Sequence, residues 1–247
     1  MALNIIKVKD VSMRFNLSRQ KEVRLKEYFI NALKRKLTFD EFWALQNISF
    51  ELQKGDTLGL IGVNGSGKST LLKLISGIIP PTKGTIEVNG SISPLIEIGG
   101  GFDNNLSAKE NIFLVGAMHG HTKKFMQNKF DEIINFAELE KFVDVPLRNY
   151  SSGMKARLAF SISTLVNADI LIADEVLSVG DLRFRQKCED RMQKLTSNGV
   201  TILFVSHSMP QVKKTCKKAI WLEKGKIKMM GDSNIVCDSY SLIVSQK

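Results

Sequence analysis

The stretch GVNGSGKST, residues 62–70, combines three glycines with a lysine that is followed by two hydroxyl residues. It follows the apolar run TLGLI and precedes STLLKLI, whose pattern predicts a helix. Glycines let backbone N–H groups close around phosphate oxygens, while such a lysine and hydroxyl contact a triphosphate and Mg²⁺. The spacing G-x-x-x-x-G-K-[ST] therefore predicts a loop that binds nucleotide phosphates. The residues predicted to contact the nucleotide are Gly62, Asn64, Gly65, Ser66, Gly67, Lys68, Ser69 and Thr70.

Two carboxylates and a histidine follow other apolar runs. Asp174 and Glu175 end the run ILIADE, which reads as a buried parallel strand whose carboxyl end delivers both side chains. We predict that Asp174 holds Mg²⁺ and that Glu175 polarises the water that attacks the γ-phosphate. His207 follows TILFVS. A lone histidine is more often structural, but this strand should end at the same edge, which favours a γ-phosphate contact.

The segment YSSGM, residues 150–154, reads as the start of a helix. Ser151 and Ser152 stand at positions typical of an N-cap, and Gly153 frees the backbone. The first N–H groups of a helix are unpaired and its dipole is positive there, so this segment predicts a second anion site. One chain would then carry two phosphate-binding elements.

The elements that must position these residues indicate an α/β fold. Strand patterns with the phosphate loop cover residues 1–98 and 169–247, and the first strands form an antiparallel β edge. Residues 99–168 are mostly helical in pattern and predict a subdomain inserted into this core. A further insertion, Ser18 to Phe42, shows an amphipathic helical pattern. We interpret the whole of 1–247 as one domain.

Composition limits the classes of protein that fit. The chain has 247 residues, a net charge of +10 and three widely spaced cysteines, which fits neither a disulfide framework nor a zinc site. We expect no signal peptide and no transmembrane helix. Seven basic residues against two glutamates lie between Arg19 and Lys36, and a second basic patch contains Lys213, Lys214, Lys217 and Lys218. Nucleic acid, an anionic membrane surface or an acidic partner could each account for the charge.

The motifs GVNGSGKST, YSSGM, ILIADE and SVGD (Ser178–Asp181), followed by His207, together resemble the nucleotide-binding subunit of an ABC transporter. The resemblance covers nearly the whole chain and implies a phosphate-loop core of ABC type that binds ATP and Mg²⁺. It also implies a homodimer in which each ATP lies between the phosphate loop of one subunit and the YSSGM segment of the other. Ser151, Gly153 and Asp181 would then contribute to the nucleotide site across the dimer.

The stretch EIGGGF, with Glu110 and Asn111 after it, resembles a particular branch of that family, the ATPases of polysaccharide exporters. Glu97 stands where most relatives have a glutamine near the metal, so the resemblance makes it a further contact to Mg²⁺. It implies a polytopic membrane permease, a lipid-linked polysaccharide cargo and a location at the cytoplasmic face of the membrane. The basic insertion would lie near the anionic lipid surface. Some members carry a C-terminal carbohydrate-binding domain, and none is expected here.

Two questions stay open at this stage. The family stacks adenine on an aromatic residue after the first strand, and both Phe15 and Trp43 fit, with Phe15 favoured by position. The other functions that remain are an ABC ATPase of an exporter with a different cargo and an ABC ATPase that acts on nucleic acid or the ribosome. The charge alone permits the latter, although we expect no nucleic-acid partner.

Overall fold

The computed structural model describes residues 4–18, 39–95, 101–166, 168–174 and 181–244. The strands are β1 (Asn4–Ser18), β2 (Phe39–Gln53), β3 (Thr57–Ile61), β4 (Lys83–Val88), β5 (Ile92–Leu95), β6 (Ile170–Asp174), β7 (Thr201–Val205), β8 (Lys218–Glu223) and β9 (Lys226–Asp232). The helices are α1 (Lys68–Ile75), α2 (Ala108–Met118), α3 (Lys123–Ala137), α4 (Ser152–Leu165), α5 (Leu182–Ser197), α6 (Met209–Thr215) and α7 (Ser233–Val244). Two short 3₁₀ turns, Glu140–Phe142 and Leu147–Asn149, connect α3 to α4.

The main sheet has the strand order β5-β6-β7-β3-β8-β9. Its strands pair in parallel except for β9, which turns back antiparallel to β8. All five residues of β7 and of β3 are buried, because helices or the second sheet cover both faces. The apolar runs of the sequence predicted such strands, and the α/β fold is confirmed.

A second sheet, of order β2-β1-β4, is antiparallel and packs against one face of the main sheet. One hydrophobic core lies between the two sheets and includes α1. A second core lies on the opposite face of the main sheet, where Phe160 of α4 and Phe184 of α5 pack. The predicted antiparallel edge is therefore a complete layer of the structure.

The predicted insertion 18–42 lies mostly outside the described residues. Its ends belong to strands, since Ser18 pairs with Phe39 and β2 includes residues 39–42. The β1–β2 pair is accordingly longer than the sequence analysis predicted. The aromatic residues Phe39, Phe42 and Trp43 favour extended backbone there.

The helical subdomain predicted for 99–168 is formed by α2, α3 and α4, which enclose a third core. Helix α2 starts with a complete capping box, in which the Ser107 hydroxyl accepts from the Glu110 N–H and the Glu110 carboxylate accepts from the Ser107 N–H. Thr122 caps α3 by its hydroxyl oxygen alone, which accepts from the N–H of Phe125.

Two helices were not predicted. Helix α6 is only seven residues long and begins beside Pro210, and α7 has apolar residues that the sequence analysis did not assign to any element. Over the part of the chain that the structure describes, no helix is both long and apolar enough to cross a membrane.

Candidate nucleotide site

The phosphate loop runs from the end of β3 into the first turn of α1. Gly67 is the N-cap of α1 with φ of 107°, a left-handed conformation that favours glycine. A β-carbon at Gly67 would lie 2.7 Å from the Ala44 carbonyl oxygen, and one at Gly62 would lie 2.3 Å from that of Leu222. Both positions therefore need glycine on grounds of space as well as conformation.

Polar groups inside this loop fit a triphosphate. The Lys68 ammonium is almost fully buried and donates to the carbonyl oxygens of Gly62 at 2.8 Å and Val63 at 3.1 Å. The buried hydroxyl of Ser66 has no hydrogen-bond partner within the described residues. Gly67 supplies no side-chain cap, so the first N–H groups of α1 are not satisfied by a cap. The donor set therefore suits a bound phosphate oxyanion.

A turn that the sequence analysis did not single out supports the loop from behind. The N–H of Gly225, between β8 and β9, donates to the Ser66 carbonyl at 3.1 Å, and the Gln46 N–H donates to the Gly225 carbonyl at 2.8 Å. Gly225 has φ of 75°, and a β-carbon there would lie 2.6 Å from the Ala44 carbonyl oxygen. The dipeptide Lys224–Gly225 was the available signal for this turn.

Asp174 and His207 lie at or just beyond the carboxyl edge of the main sheet. In the parallel ladders Asp174 aligns with Val205, which aligns with Leu60 just before the phosphate loop. His207 is exposed two residues beyond Val205. Asp174 is described by its backbone only, and Glu175 and Glu97 lie outside the described residues.

Ser206 fixes the turn that carries His207. Its buried hydroxyl accepts from the N–H of Ser208 at 3.0 Å and donates to the Gln211 side-chain oxygen at 3.1 Å. Ser206 was not among the predicted residues, although serine after a buried strand is a typical turn residue.

Phe15 and Trp43, the two candidates for stacking on adenine, have different surroundings. Phe15 pairs across the strands with Phe42 and lies two residues beyond Met13, which packs on the core between the sheets. A register shift separates Met13 from Arg14, and beyond it Phe15 and Phe42 are both exposed. Trp43 pairs with Arg14. Its ring has the Arg14 guanidinium 5.9 Å and the Lys83 ammonium 5.6 Å from the centroid.

The YSSGM segment starts α4 as predicted. Ser151 is the N-cap, and its hydroxyl oxygen accepts from the Met154 N–H at 3.2 Å. Around Gly153, a β-carbon would meet only the Ser151 hydroxyl within 4 Å, at 3.8 Å. Tyr150 is buried and donates its hydroxyl to the Phe142 carbonyl at 2.6 Å, so this aromatic residue anchors the turn before the helix.

Asp181 has a clear structural position. It is the N-cap of α5, and one carboxylate oxygen accepts from the Phe184 N–H at 2.9 Å. The other oxygen accepts from the Arg157 guanidinium at 2.7 Å. These contacts, first the Phe184 N–H and then the Arg157 charge, lower the pKa of the Asp181 carboxyl.

Asn111, noted in the sequence beside Glu110, closes the loop that precedes α2. Its fully buried amide donates to the carbonyl oxygens of Asp103, Leu106 and Ser107, and its oxygen accepts from the Asp103 N–H. The same loop is joined to α4, because the Lys155 ammonium donates to the Asn104 side chain at 2.7 Å.

Comparison with known proteins identifies the family. Residues 45–178 match the family described as ABC transporter. The teichoic acids export ATP-binding protein TagH of Bacillus anthracis is 44% identical over 95% of this chain and 42% of its own length. The O-antigen export system ATP-binding protein RfbB of Klebsiella pneumoniae is 44% identical over 81% of each chain. The chain therefore spans less than half of the first relative and about four fifths of the second.

The fold is also that of solved ATP-binding cassettes. A dimeric cassette in a post-hydrolysis state, bound to ADP and Pi, superposes with a TM-score of 0.75 at 20% identity. The match covers 92% of this chain and 98% of that one. The resemblance that the motifs predicted is confirmed: the chain belongs to the ABC transporter family and is related to the ATP-binding proteins of teichoic acid and O-antigen exporters.

Proposed function

We propose that this chain hydrolyses ATP to power the export of a lipid-linked polysaccharide, of O-antigen, capsule or teichoic acid type, through a separate transmembrane permease. The observation that supports the ATPase part is the buried Lys68 ammonium inside a glycine loop that leads into the N-terminus of α1, where no side chain caps the helix. The cargo is supported by relatives named for teichoic acid and O-antigen export.

In this proposal water attacks the γ-phosphate in line with the leaving oxygen. Glu175 accepts a proton from that water, while Lys68 and His207 stabilise the charge that develops on the phosphate oxygens. Ser69, Asp174 and Glu97 are the proposed ligands of Mg²⁺, directly or through its water shell. When bound, Mg²⁺ neutralises charge on the β- and γ-phosphates.

Dimerisation completes the site. Two copies would pair head to tail, so that Ser151 and Gly153 of one subunit contact the γ-phosphate of the ATP on the other. The open space around Gly153 supports close approach of an anion to the start of α4. Phe15 would stack on the adenine, because its side chain is exposed, whereas two cations lie near the ring of Trp43.

The surface charge supports a membrane-bound assembly more than a nucleic-acid partner. In the second basic patch, Lys213 pairs with Asp238, Lys214 with Glu189 and Lys218 with Asp56. These pairs cancel much of its positive charge. The basic insertion remains as the proposed contact with the anionic lipid surface, and the subunit would be held at the cytoplasmic face by its permease.

Affinity purification of the tagged chain from gently solubilised native membranes tests the proposal. We expect a stoichiometric polytopic membrane protein, carrying a lipid-linked glycan, and ATP-dependent phosphate release by the complex. Recovery with RNA or ribosomal proteins would favour the alternative of a nucleic-acid ATPase. A complex with a permease that carries a drug, lipid or peptide would leave the ATPase proposal standing and reject the polysaccharide cargo.

A further inference from the structure

Arg157 joins three separate elements at one point. It is the sixth residue of α4, and its guanidinium donates to the Asp181 carboxylate at 2.7 Å and to the Glu138 carboxylate at 2.8 Å. Its carbon centre lies 4.6 Å from the centroid of the Phe184 ring. The helix that begins with YSSGM is thereby connected to the start of α5 and to the end of α3.

The chemistry of this contact requires arginine. A guanidinium is planar and has two ends, so that it can serve two carboxylates while its face lies on an aromatic ring. Lysine, with one compact ammonium, cannot make the same three contacts. The Arg157 side chain is 18% exposed and lies on the buried Phe184 ring, whereas the Glu138 and Asp181 side chains are 38% and 63% exposed. Solvent therefore screens the two ion pairs, and their role is to orient the guanidinium rather than to add much stability.

Both acidic partners occupy positions that define the ends of helices. Asp181 caps α5 with the oxygen that does not bind Arg157. Glu138 ends α3 in a left-handed conformation, with φ of 60°. A shift of α4 relative to either helix would therefore break an ion pair and disturb the end of the neighbouring helix.

We propose that Arg157 is a positioning residue that makes the YSSGM segment and Asp181, at the start of α5, move as one unit towards the nucleotide of the partner subunit. This inference rests on the proposed function. Residues 150–154 directly precede Arg157 along α4, and Asp181 is the last residue of SVGD. The link fixes the spacing of the YSSGM segment and Asp181 before the dimer forms, so that both reach one ATP together.

Lys187 offers a matched control on the same helices. It pairs with Glu138 at 3.2 Å, donates to the Phe136 carbonyl at 2.8 Å and lies over the Phe136 ring. It thus links the end of α3 to α5, whereas Arg157 links the end of α3 to α4, and the contacts of Lys187 do not include Asp181. Removal of Lys187 tests general packing of these helices without breaking the link to SVGD.

The experiment compares Arg157→Gln, Arg157→Lys, Asp181→Asn and Lys187→Gln. Steady-state phosphate release gives kcat and KM, a fluorescent ADP analogue gives nucleotide affinity, and sedimentation with ATP in a Glu175→Gln background gives dimerisation. Thermal unfolding reports on stability. Asparagine retains the capping group at position 181 while removing its charge.

We expect Arg157→Gln to lower kcat at least tenfold and to weaken ATP-dependent dimerisation, with ADP affinity unchanged because the phosphate loop is intact. Arg157→Lys should recover part of kcat, and Lys187→Gln should leave it unchanged. In the double variant, Asp181→Asn should lower kcat little further than Arg157→Gln alone, since both substitutions remove the contact between these two side chains. If Arg157→Gln does not fold, Arg157→Lys and Asp181→Asn carry the comparison.

Wild-type kcat and dimerisation in the Arg157 and Asp181 variants would overturn the inference, as would an equal loss in Lys187→Gln. Failure of the proposed function would look different, because the wild-type chain in its complex would then release no phosphate from ATP.

Discussion

The ammonium of Lys68 lies 2.8 Å from the carbonyl oxygen of Gly62, at the opposite end of the same loop. A second carbonyl, that of Val63, lies 3.1 Å away. The loop thus encloses the lysine side chain, and residue Lys68 is 7% exposed. A buried charge is costly unless polar groups surround it, and these carbonyls together with phosphate oxygens would provide them.

Lys68→Ala should weaken ATP binding about 10- to 100-fold, since a hydrogen bond to a charged group contributes about 1.5–3 kcal/mol. Titration with a fluorescent ATP analogue measures the change. Lys129→Ala, which removes a lysine paired with Glu132 on α3, should bind like wild type. Equal affinity in Lys68→Ala and wild type would exclude Lys68 from the phosphate site.

Glu175→Gln should retain ATP binding and lose turnover about 10²- to 10⁴-fold, the usual contribution of a general base. The amide keeps the size of the side chain but cannot accept the proton from water. Phosphate release and ATP binding are measured on the same preparation, with Glu132→Gln on α3 as the control. A variant that hydrolyses ATP at the wild-type rate would remove Glu175 from the role of base.

Phe15→Ala should raise the KM for ATP about tenfold, because stacking of a base on an aromatic ring contributes about 1–3 kcal/mol. Trp43→Leu should instead lower stability, since both Arg14 and Lys83 lie within 6 Å of its ring centroid and each cation–π contact contributes about 0.5–1 kcal/mol. Kinetics and thermal unfolding of the two variants separate these effects. The reverse result, with KM raised only in Trp43→Leu, would identify Trp43 as the stacking residue.

Features that depend on residues close together in the chain were predictable from the sequence. The phosphate loop was predictable because its requirements are local: Gly67 needs a positive φ, and Lys68 lies next to it in the chain. That Asp174 and His207 come to the same sheet edge was predictable from two buried runs that end there, where Asp174 aligns with Val205.

Contacts between distant segments carried no comparable signal. Arg157 meets Asp181 across 24 positions, and Gly225 supports Ser66 from a hairpin far along the chain. In the sequence, the resemblance assigned Asp181 to the nucleotide site, but neither its cap of α5 nor its ion pair with Arg157 was predicted. The short helix α6 gave too few turns for a periodic pattern to be recognised.

His119, at the end of α2, predicts a dependence of stability on pH. Burial, with a smaller contribution from His121, lowers the pKa of His119 in the folded chain below its usual value of about 6.5. The unfolded chain therefore binds this proton first as the pH falls. Stability should be complete above about pH 6.5 and should decline as the pH drops from there towards the folded pKa. Urea unfolding at several pH values should show a smaller decline in His119→Gln, and an unchanged decline would contradict the assignment.

Asn111→Asp should destabilise the helical subdomain although the two side chains have nearly the same shape. The amide of Asn111 donates to three carbonyl oxygens at 2.9–3.1 Å, and a carboxylate would face those oxygens with negative charge and no donor. Each of these carbonyl oxygens also accepts a backbone N–H, so the cost comes from burying a carboxylate against three acceptors rather than from orphaned carbonyls. We expect the free energy of unfolding to fall by about 2–4 kcal/mol. Asn128→Asp, at an exposed position on α3, should change it by less than about 0.5 kcal/mol. Denaturant unfolding of both variants measures the difference. Because Asn111 closes the loop joined to α4 by Lys155 and Asn104, we also expect Asn111→Asp to lower ATP turnover more than ADP affinity. Equal stability of the two variants would mean that the loop before α2 does not depend on this amide.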